Sequence, residues 1–307
     1  MLTYLLAFAS GLAQPMQTSI NGTLRSKVKS PYITAVISFG MAFTGLAVVT
    51  LVAEGNFNIN WQAAAGQPLW IWGGGMCGVF IVTLSVVCLP QIGSELTVVL
   101  ECFGQIVISL IIDHFGLFHS TQISVDFTRI SGIALLMVGV ILIARDTDAS
   151  GQIRRYPIKY MALAALAGVF CGLQIAVNGA LSSVLGSGCH SAMISTGSGV
   201  VLAGLLVGII FATKGANGVF EEGKDIPFKW YMVTGGLFGT VIVGGNCITA
   251  PLLGAGTVSI LNLVGFNVGG LAIDATGFLG IEKKRITLIK MIGVVAMSIG
   301  VIIVTVL

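Results

Sequence analysis

The sequence predicts an all-α polytopic membrane protein, on three observations: a composition too apolar for water, ten apolar stretches of spanning length, and a five-span pattern written twice. Of 307 residues, 55% are hydrophobic and 9% charged, with a mean hydropathy of +0.99. Soluble domains carry about 25% charged residues. Twelve acids and 15 bases are too few to coat a globule of this size. Disorder, nucleic-acid binding and a disulfide scaffold are excluded on that ground.

A hydrocarbon crossing takes about 20 apolar helical residues, because the backbone must satisfy its own hydrogen bonds in lipid. Such stretches lie near Leu2–Leu24, Tyr32–Val52, Leu69–Leu89, Gly93–Ile112, Arg129–Ala144, Ile158–Leu181, His190–Ala212, Trp230–Ala250, Gly254–Ile273 and Thr287–Leu307. None shows the period-2 alternation of a barrel strand, so helix is the expectation. The first span lacks a basic leader region, and Gln14, Pro15, Gln17 and Asn21 interrupt its apolar run; it is expected to be retained rather than cleaved. Pro90 and Pro251 close the third and eighth spans before tight links, with Gly93 and Gly254 just beyond. Gly74/Gly78, Gly204/Gly208, Gly235/Gly239 and Gly265/Gly269 form small-xxx-small faces expected to bring helices close. The six cysteines have no CxxC pair or His partner at ligand spacing and are expected to be small buried residues. No metal site, cofactor or catalytic residue is expected.

The bases set the orientation. All but Arg129 fall in or beside the links after spans one, five, seven and nine: Arg25, Lys27 and Lys29; Arg145, Arg154, Arg155 and Lys159; Lys214, Lys224 and Lys229; and Lys283, Lys284, Arg285 and Lys290. This side should be cytoplasmic, placing both termini on the extracytoplasmic side of the inner membrane. Trp61, Trp70 and Trp72 then cluster at the outer interface, and Trp230 and Tyr231 at the inner one.

A shift of 157 positions aligns Gly11 with Gly168, Gln17 with Gln174, Asn21 with Asn178 and Ser38 with Ser195. Past the second span the shift becomes 161, pairing Gly74 with Gly235, Pro90 with Pro251, Gly104 with Gly265, Asp113 with Asp274 and Gly139 with Gly300. The chain therefore divides into repeats at 1–153 and 154–307. With five spans apiece the repeats enter the membrane in opposite directions. Inverted repeats of this kind recur in secondary transporters, where exchange of the two conformations opens one central site to either side.

The G-x5-Q-x3-N-G pattern in the first helix, with Gly104, Gln105, Asp113, His114, Phe115, Gly116, Leu117 and Phe118 at the end of the fourth, resembles the YdcZ-like family of inner-membrane exporters in the drug/metabolite transporter superfamily. The resemblance covers both halves, as a fused pair of units. It implies a ten-helix transporter with a central cavity. The second half departs from the pattern at Phe266, where the first has Gln105, and at Ala275-Thr276, where it has His114-Phe115.

Polar groups in a span are the first candidates for function. Ser10, Gln14, Gln17 and Asn21 share one helical face, and Gln174 and Asn178 repeat its last two positions, with Cys171 replacing Gln14. These amides either line a substrate site at the pseudo-two-fold axis or join helices. Glu101, about 12 Å into its span, has no base in any span core to neutralise it. It could bind a proton, hold a cation or alternate between them; a protonated structural acid is the other reading. Its repeat partner is Asn262, and Gln105 lies one turn away. Asn246 and Asn267 are weaker candidates. Glu95 is expected to serve a helix N-terminus, and Asp113 and Asp274 to serve turns. His114, His119 and His190 are expected to be solvated near span ends.

These residues point to a secondary active transporter, an exporter by the family analogy, working by alternating access with Glu101 as the proton-coupling group. Gln14, Gln17, Asn21, Glu101, Gln105, Gln174, Asn178 and Asn262 are the substrate-binding candidates. A channel or facilitator for small polar solutes and a membrane-embedded enzyme are the alternatives. With no span-core base, the substrate is expected to be cationic, zwitterionic or neutral and polar. The chain is expected to act as a monomer or homodimer in the bilayer.

Overall fold

The computed structural model describes residues 1–120, 122–124, 126–144, 156–222, 226–277 and 288–306. The principal helices are α1 (Leu2–Val28), α2 (Pro31–Glu54), α3 (Gly74–Phe115), α4 (Phe127–Ala144), α5 (Ile158–Leu185), α6 (Gly188–Lys214), α7 (Gly235–Leu253), α8 (Ala255–Thr276) and α9 (Leu288–Val306). No strand occurs among the described residues. Six helical segments within them are long and apolar enough to cross a membrane: Pro31–Glu54, Gly74–Ile92, Ile158–Leu185, Gly188–Lys214, Trp230–Leu253 and Ala255–Ile273. The polar stripe of α1 keeps that helix outside this set despite its 27 residues.

Equivalent links are built alike. Lys29 and Gly186 both take the left-handed conformation that ends α1 and α5. Ser30 and Ser187 then cap the next helix, accepting from the backbone N–H of Ile33 and His190. Each cap satisfies a donor that has no partner within its helix.

Helix α3 departs from expectation at Pro90 and Gly93. The two were read as the end of one span and a link, yet the helix runs on through both for 42 residues. A straight helix of that length would reach about 63 Å, twice the hydrocarbon thickness of about 30 Å. Its neighbours on α5 show that it folds back instead. Gly74 and Gly78 lie against Asn178 and Gln174, and the Cys88 thiol donates to the Tyr160 carbonyl near the start of α5. Beyond the bend, Gly104 meets Ala165, Glu101 meets Gly168 and Gly172 meets Ile108, while Ile112 clusters with Ile175. The first arm therefore runs down α5 and the second climbs back along it. In the second repeat the bend is an open break at Gly254, with φ 81° and ψ 152°, a conformation glycine adopts without strain.

The hairpin α7–α8 holds α1 just as α3 holds α5. Gly235 meets Asn21, Gly239 meets Gln17, Gly265 meets Phe8 and Gly11 meets Asn262. Each of these contacts has its counterpart, by the same register shifts, in Gly74–Asn178, Gly78–Gln174, Gly104–Ala165 and Gly168–Glu101. The repeats are thus interlocked, each first helix lying in the other repeat's hairpin. On the flank α4 packs on α9, with Gly139 against Gly293 and Gly300 against Gly132.

Directions are opposed as well. Gln14 Nε2 donates to Cys171 Sγ at 3.8 Å, a contact between two residues that the repeat aligns with each other. To one side of this crossing, Arg25 on α1 reaches Val86, close to the first turns of α5; to the other, Ala7 clusters with Ile175 and Ala176. Helices α1 and α5 therefore cross antiparallel, as inverted repeats require.

Two further expectations are corrected. His190 is buried, 5% exposed, with Nδ1 3.3 Å from Glu54 Oε2, because the cap at Ser187 turns the first turn of α6 inward onto the end of α2. Gly204 and Gly208 bring nothing close: a Cβ at either would meet open space, since this face of α6 points away from the bundle. Arg129, isolated in the charge pattern, is buried and paired with Asp113 at 3.3 Å. The Asp113 carbonyl also accepts from Gly116 and Ile123, the expected turn role. The side chains of Glu95, Asp274 and Lys290, and all of Arg145, Arg154, Arg155, Lys224, Lys283, Lys284 and Arg285, lie outside the described residues.

Candidate functional site

The crossing of α1 and α5 lies between two cavities. The first, about 60 Å³, is lined by Gln14, Gln17, Ser38, Gln174, Thr196 and Asn246 among its polar groups, with Phe39, Ile81, Ile242 and Val243 as apolar walls. The second, about 30 Å³, is lined by Glu101, Cys102, Gln105, Leu263 and Phe266. Gln14, Ile81 and Cys171 border both. The Gln14–Cys171 contact on the pseudo-two-fold axis is therefore a partition one side chain thick, with amides on one face and a carboxyl on the other.

The periodicity of α1 explains the first chamber. Gln14 and Gln17 lie one turn apart and face it, and Gln17 Nε2 donates to Ser38 Oγ at 3.3 Å. From the other repeat, Gln174 Nε2 donates to the Gly74 carbonyl at 2.9 Å, which the missing side chain at Gly74 leaves approachable. Asn246 is held from behind by Asn262, whose Nδ2 donates to its Oδ1 at 2.9 Å.

Glu101 borders the second chamber together with Gln105, one turn along the same helix. Glu101 Oε1 and Gln105 Nε2 are buried with no hydrogen-bond partner among the described residues. Buried polar atoms are rarely left so. Opposite them stand Leu263 and Phe266 of α8, so one wall is polar and the other apolar.

Of the eight binding candidates, Gln14, Gln17 and Gln174 come together in the first chamber and Glu101 and Gln105 in the second. Asn262 stands behind Asn246. Asn21 and Asn178 line neither chamber: Asn21 Nδ2 donates to Ser38 at 3.0 Å, and each lies against the glycine that opens the other repeat's hairpin. For these two the structure favours helix joining. Ser38 and Thr196 of the first chamber escaped the sequence reading, which weighed amides and acids and passed over hydroxyls.

The two ends of the bundle are closed differently. In the last turn of α1, Arg25 pairs with Glu221 through two bonds of 2.6 and 3.0 Å beside a cavity of about 450 Å³ that also includes Lys29, Pro90 and Glu222. At the opposite end Ala64, Ile71, Leu181 and Leu185 pack with Trp70 and Trp72.

A family model described as "Putative inner membrane exporter, YdcZ" matches residues 2–142 and again residues 159–303. No curated protein matches the sequence. A solved crystal structure superposes with a TM-score of 0.67 at 14% identity, covering 99% of this chain and 95% of its own, a likeness of fold alone. Matched once in each half, the chain belongs to the YdcZ family of inner-membrane transport proteins.

Proposed function

We propose that this protein is a secondary active exporter of a small cationic, zwitterionic or neutral polar solute, driven by proton exchange at Glu101 and working by alternating access. The observation that carries the reading is the partition: an amide-lined chamber and an acid-bearing chamber share Gln14, Ile81 and Cys171. A side chain that yields at the partition would let a solute bound by Gln14, Gln17, Gln174 and Asn246 compete with the proton on Glu101.

Charge argues for the coupling role. The described charged groups that pair across helices do so at the ends: Arg25 with Glu221, Arg129 with Asp113, Glu54 beside His190. None reaches Glu101. An acid desolvated without a cationic partner gains from binding either a proton or a cation. The interlocked hairpins support the conformational part, since antiparallel halves can exchange geometries about the Gln14–Cys171 axis. The basic links support an orientation in which that axis lies between a cytoplasmic ion-pair closure and an outer aromatic one, with both termini outside.

Purified protein in liposomes, screened with labelled cationic, zwitterionic and neutral solutes with and without a pH gradient, tests the reading. Wild type should move at least one class faster under an inward proton gradient, and Glu101→Gln should abolish that stimulation at unchanged expression. Stimulation that survives in Glu101→Gln removes the acid from the mechanism.

A further inference from the structure

Gln17 and Gln174, which the repeat aligns, are seated alike in the first chamber. A Cβ on Gly239 would stand 2.8 Å from Gln17 Nε2, and one on Gly78, the repeat partner of Gly239, 2.6 Å from Gln174 Nε2. Each nitrogen is also engaged by the protein: Gln17 donates to Ser38 Oγ at 3.3 Å and Gln174 to the Gly74 carbonyl at 2.9 Å. A carbonyl only accepts, so the amide of Gln174 has one orientation, its nitrogen toward α3 and its oxygen turned from it. Gln17 repeats that placement against α7. Gln14, between the chambers, likewise directs its nitrogen to Cys171 Sγ.

The oxygens are left over. Among the described residues no N–H or O–H reaches Oε1 of Gln14, Gln17 or Gln174, and none of the three oxygens is sealed inside protein. All three side chains line the first chamber. Thr196 lines it too, and gives its hydroxyl hydrogen to the carbonyls of Ala192 and Met193, keeping only an oxygen to offer. Asn246 is the converse, its oxygen taken by Asn262 and its nitrogen left. No acid or base lines this chamber among the described residues; Glu101 borders the next one, across Gln14.

We propose that the first chamber selects its solute by N–H donors, so that the exported solute is a compact primary ammonium and not a quaternary one. The inference rests on the reading of this chamber as the solute site. A primary ammonium brings three donors and no acceptor, and the three glutamines offer it acceptors. Its charge suits amide carbonyl dipoles and, through the partition, an ionised Glu101. A solute without N–H groups would leave those oxygens desolvated and unpaired, which is how a hydrogen-bonding site rejects a close analogue. A carboxylate would meet the same oxygens with little but the Asn246 nitrogen to receive it, so zwitterions and anions are refused.

Isothermal titration calorimetry of the full chain in lipid nanodiscs, at mildly alkaline pH, tests this with probes of matched size: tert-butylammonium, tetramethylammonium, tert-butanol and glycine. The two cations share shape and charge and differ in their N–H donors. tert-Butylammonium should bind about tenfold or more tighter than tetramethylammonium, and tert-butanol and glycine should also fall below it. Gln17→Met and Gln174→Met keep the bulk but lose the amide oxygen, and each should narrow the preference between the cations by about threefold or more; a merely structural loss would weaken both cations alike. Should either variant not fold, the wild-type ranking carries the test. Equal or tighter binding of tetramethylammonium overturns the inference and assigns the chamber to the ring of Phe39. So does glycine binding as tightly as tert-butylammonium, a preference unchanged in both glutamine variants, or no saturable binding of tert-butylammonium. If the ranking holds and yet the flux of no probe into liposomes responds to a pH gradient, the inference stands and the proton-exchange reading fails.

Discussion

The hairpins α3 and α7–α8 follow one plan, and the places where they part company carry the chemistry. Both clasp the other repeat's first helix through glycines at matching positions. They differ in the bend, in the second-arm polar residue and in the chamber wall. The bend is unbroken helix in α3 and an extended, positive-φ break at Gly254 in the other. The second-arm residue is Glu101 in one and, in the other, Asn262, which donates to Asn246. The wall is Gln105 in one and Phe266 in the other.

Moving the acid is the strongest way to break that comparison. The double variant Glu101→Asn/Asn262→Glu keeps one acid at the crossing but sets it beside Asn246, away from Gln105. Proton-stimulated flux in liposomes should fall to about a tenth or less, because the same group in another environment has another proton affinity. Flux at the wild-type level would mean that the hairpins are interchangeable.

Stability sharpens the comparison next. Asp113→Ala leaves Arg129, 8% exposed, without its acid at the foot of α4. Removing one partner of a buried pair costs about 3–5 kcal/mol, to be read as a lowered midpoint of thermal unfolding in detergent. Gly11→Ala and Gly168→Ala should each cost about 1–3 kcal/mol by overpacking, since a Cβ would overlap the backbone of Asn262 or Glu101. Near-equal losses would bear out the shared plan; a large loss in one alone would show a clasp more tolerant in one repeat. The bend of the second repeat is tested in the same way: Gly254→Ala forces a side chain into an extended, positive-φ conformation that is essentially glycine's alone and should cost about 1–3 kcal/mol.

Much of this was legible in the residues. The repeat, read only as aligned glycines and amides, predicts which glycines meet which helices, and the stripe of Gln14 and Gln17 predicts a polar face at the crossing. The fold-back of α3 was legible as punctuation at Pro90 and Gly93, but the helical continuity through it was not: Pro251 and Gly254 punctuate in the same way, and there the chain breaks at Gly254. Nor was the burial of His190, because a lone histidine beside a cap says nothing of the Glu54 that meets it from another helix. Gly204 and Gly208 show the converse, a close-packing pattern with nothing packed on it. Spacing tells which residues share a face; whether that face has a partner is settled elsewhere in the chain.

The exchange of first helices also dictates the order of assembly. Helix α1 rests chiefly on α7 and α8, whose residues begin more than 200 positions later in the chain. During synthesis α1 therefore leaves the ribosome well before the helices that seat it, and its amides wait in lipid or against an insertion factor until the hairpin α7–α8 arrives. A chain cut between the repeats would strand two modules, each with an empty groove and an unhoused helix, able to recover only by meeting its complement.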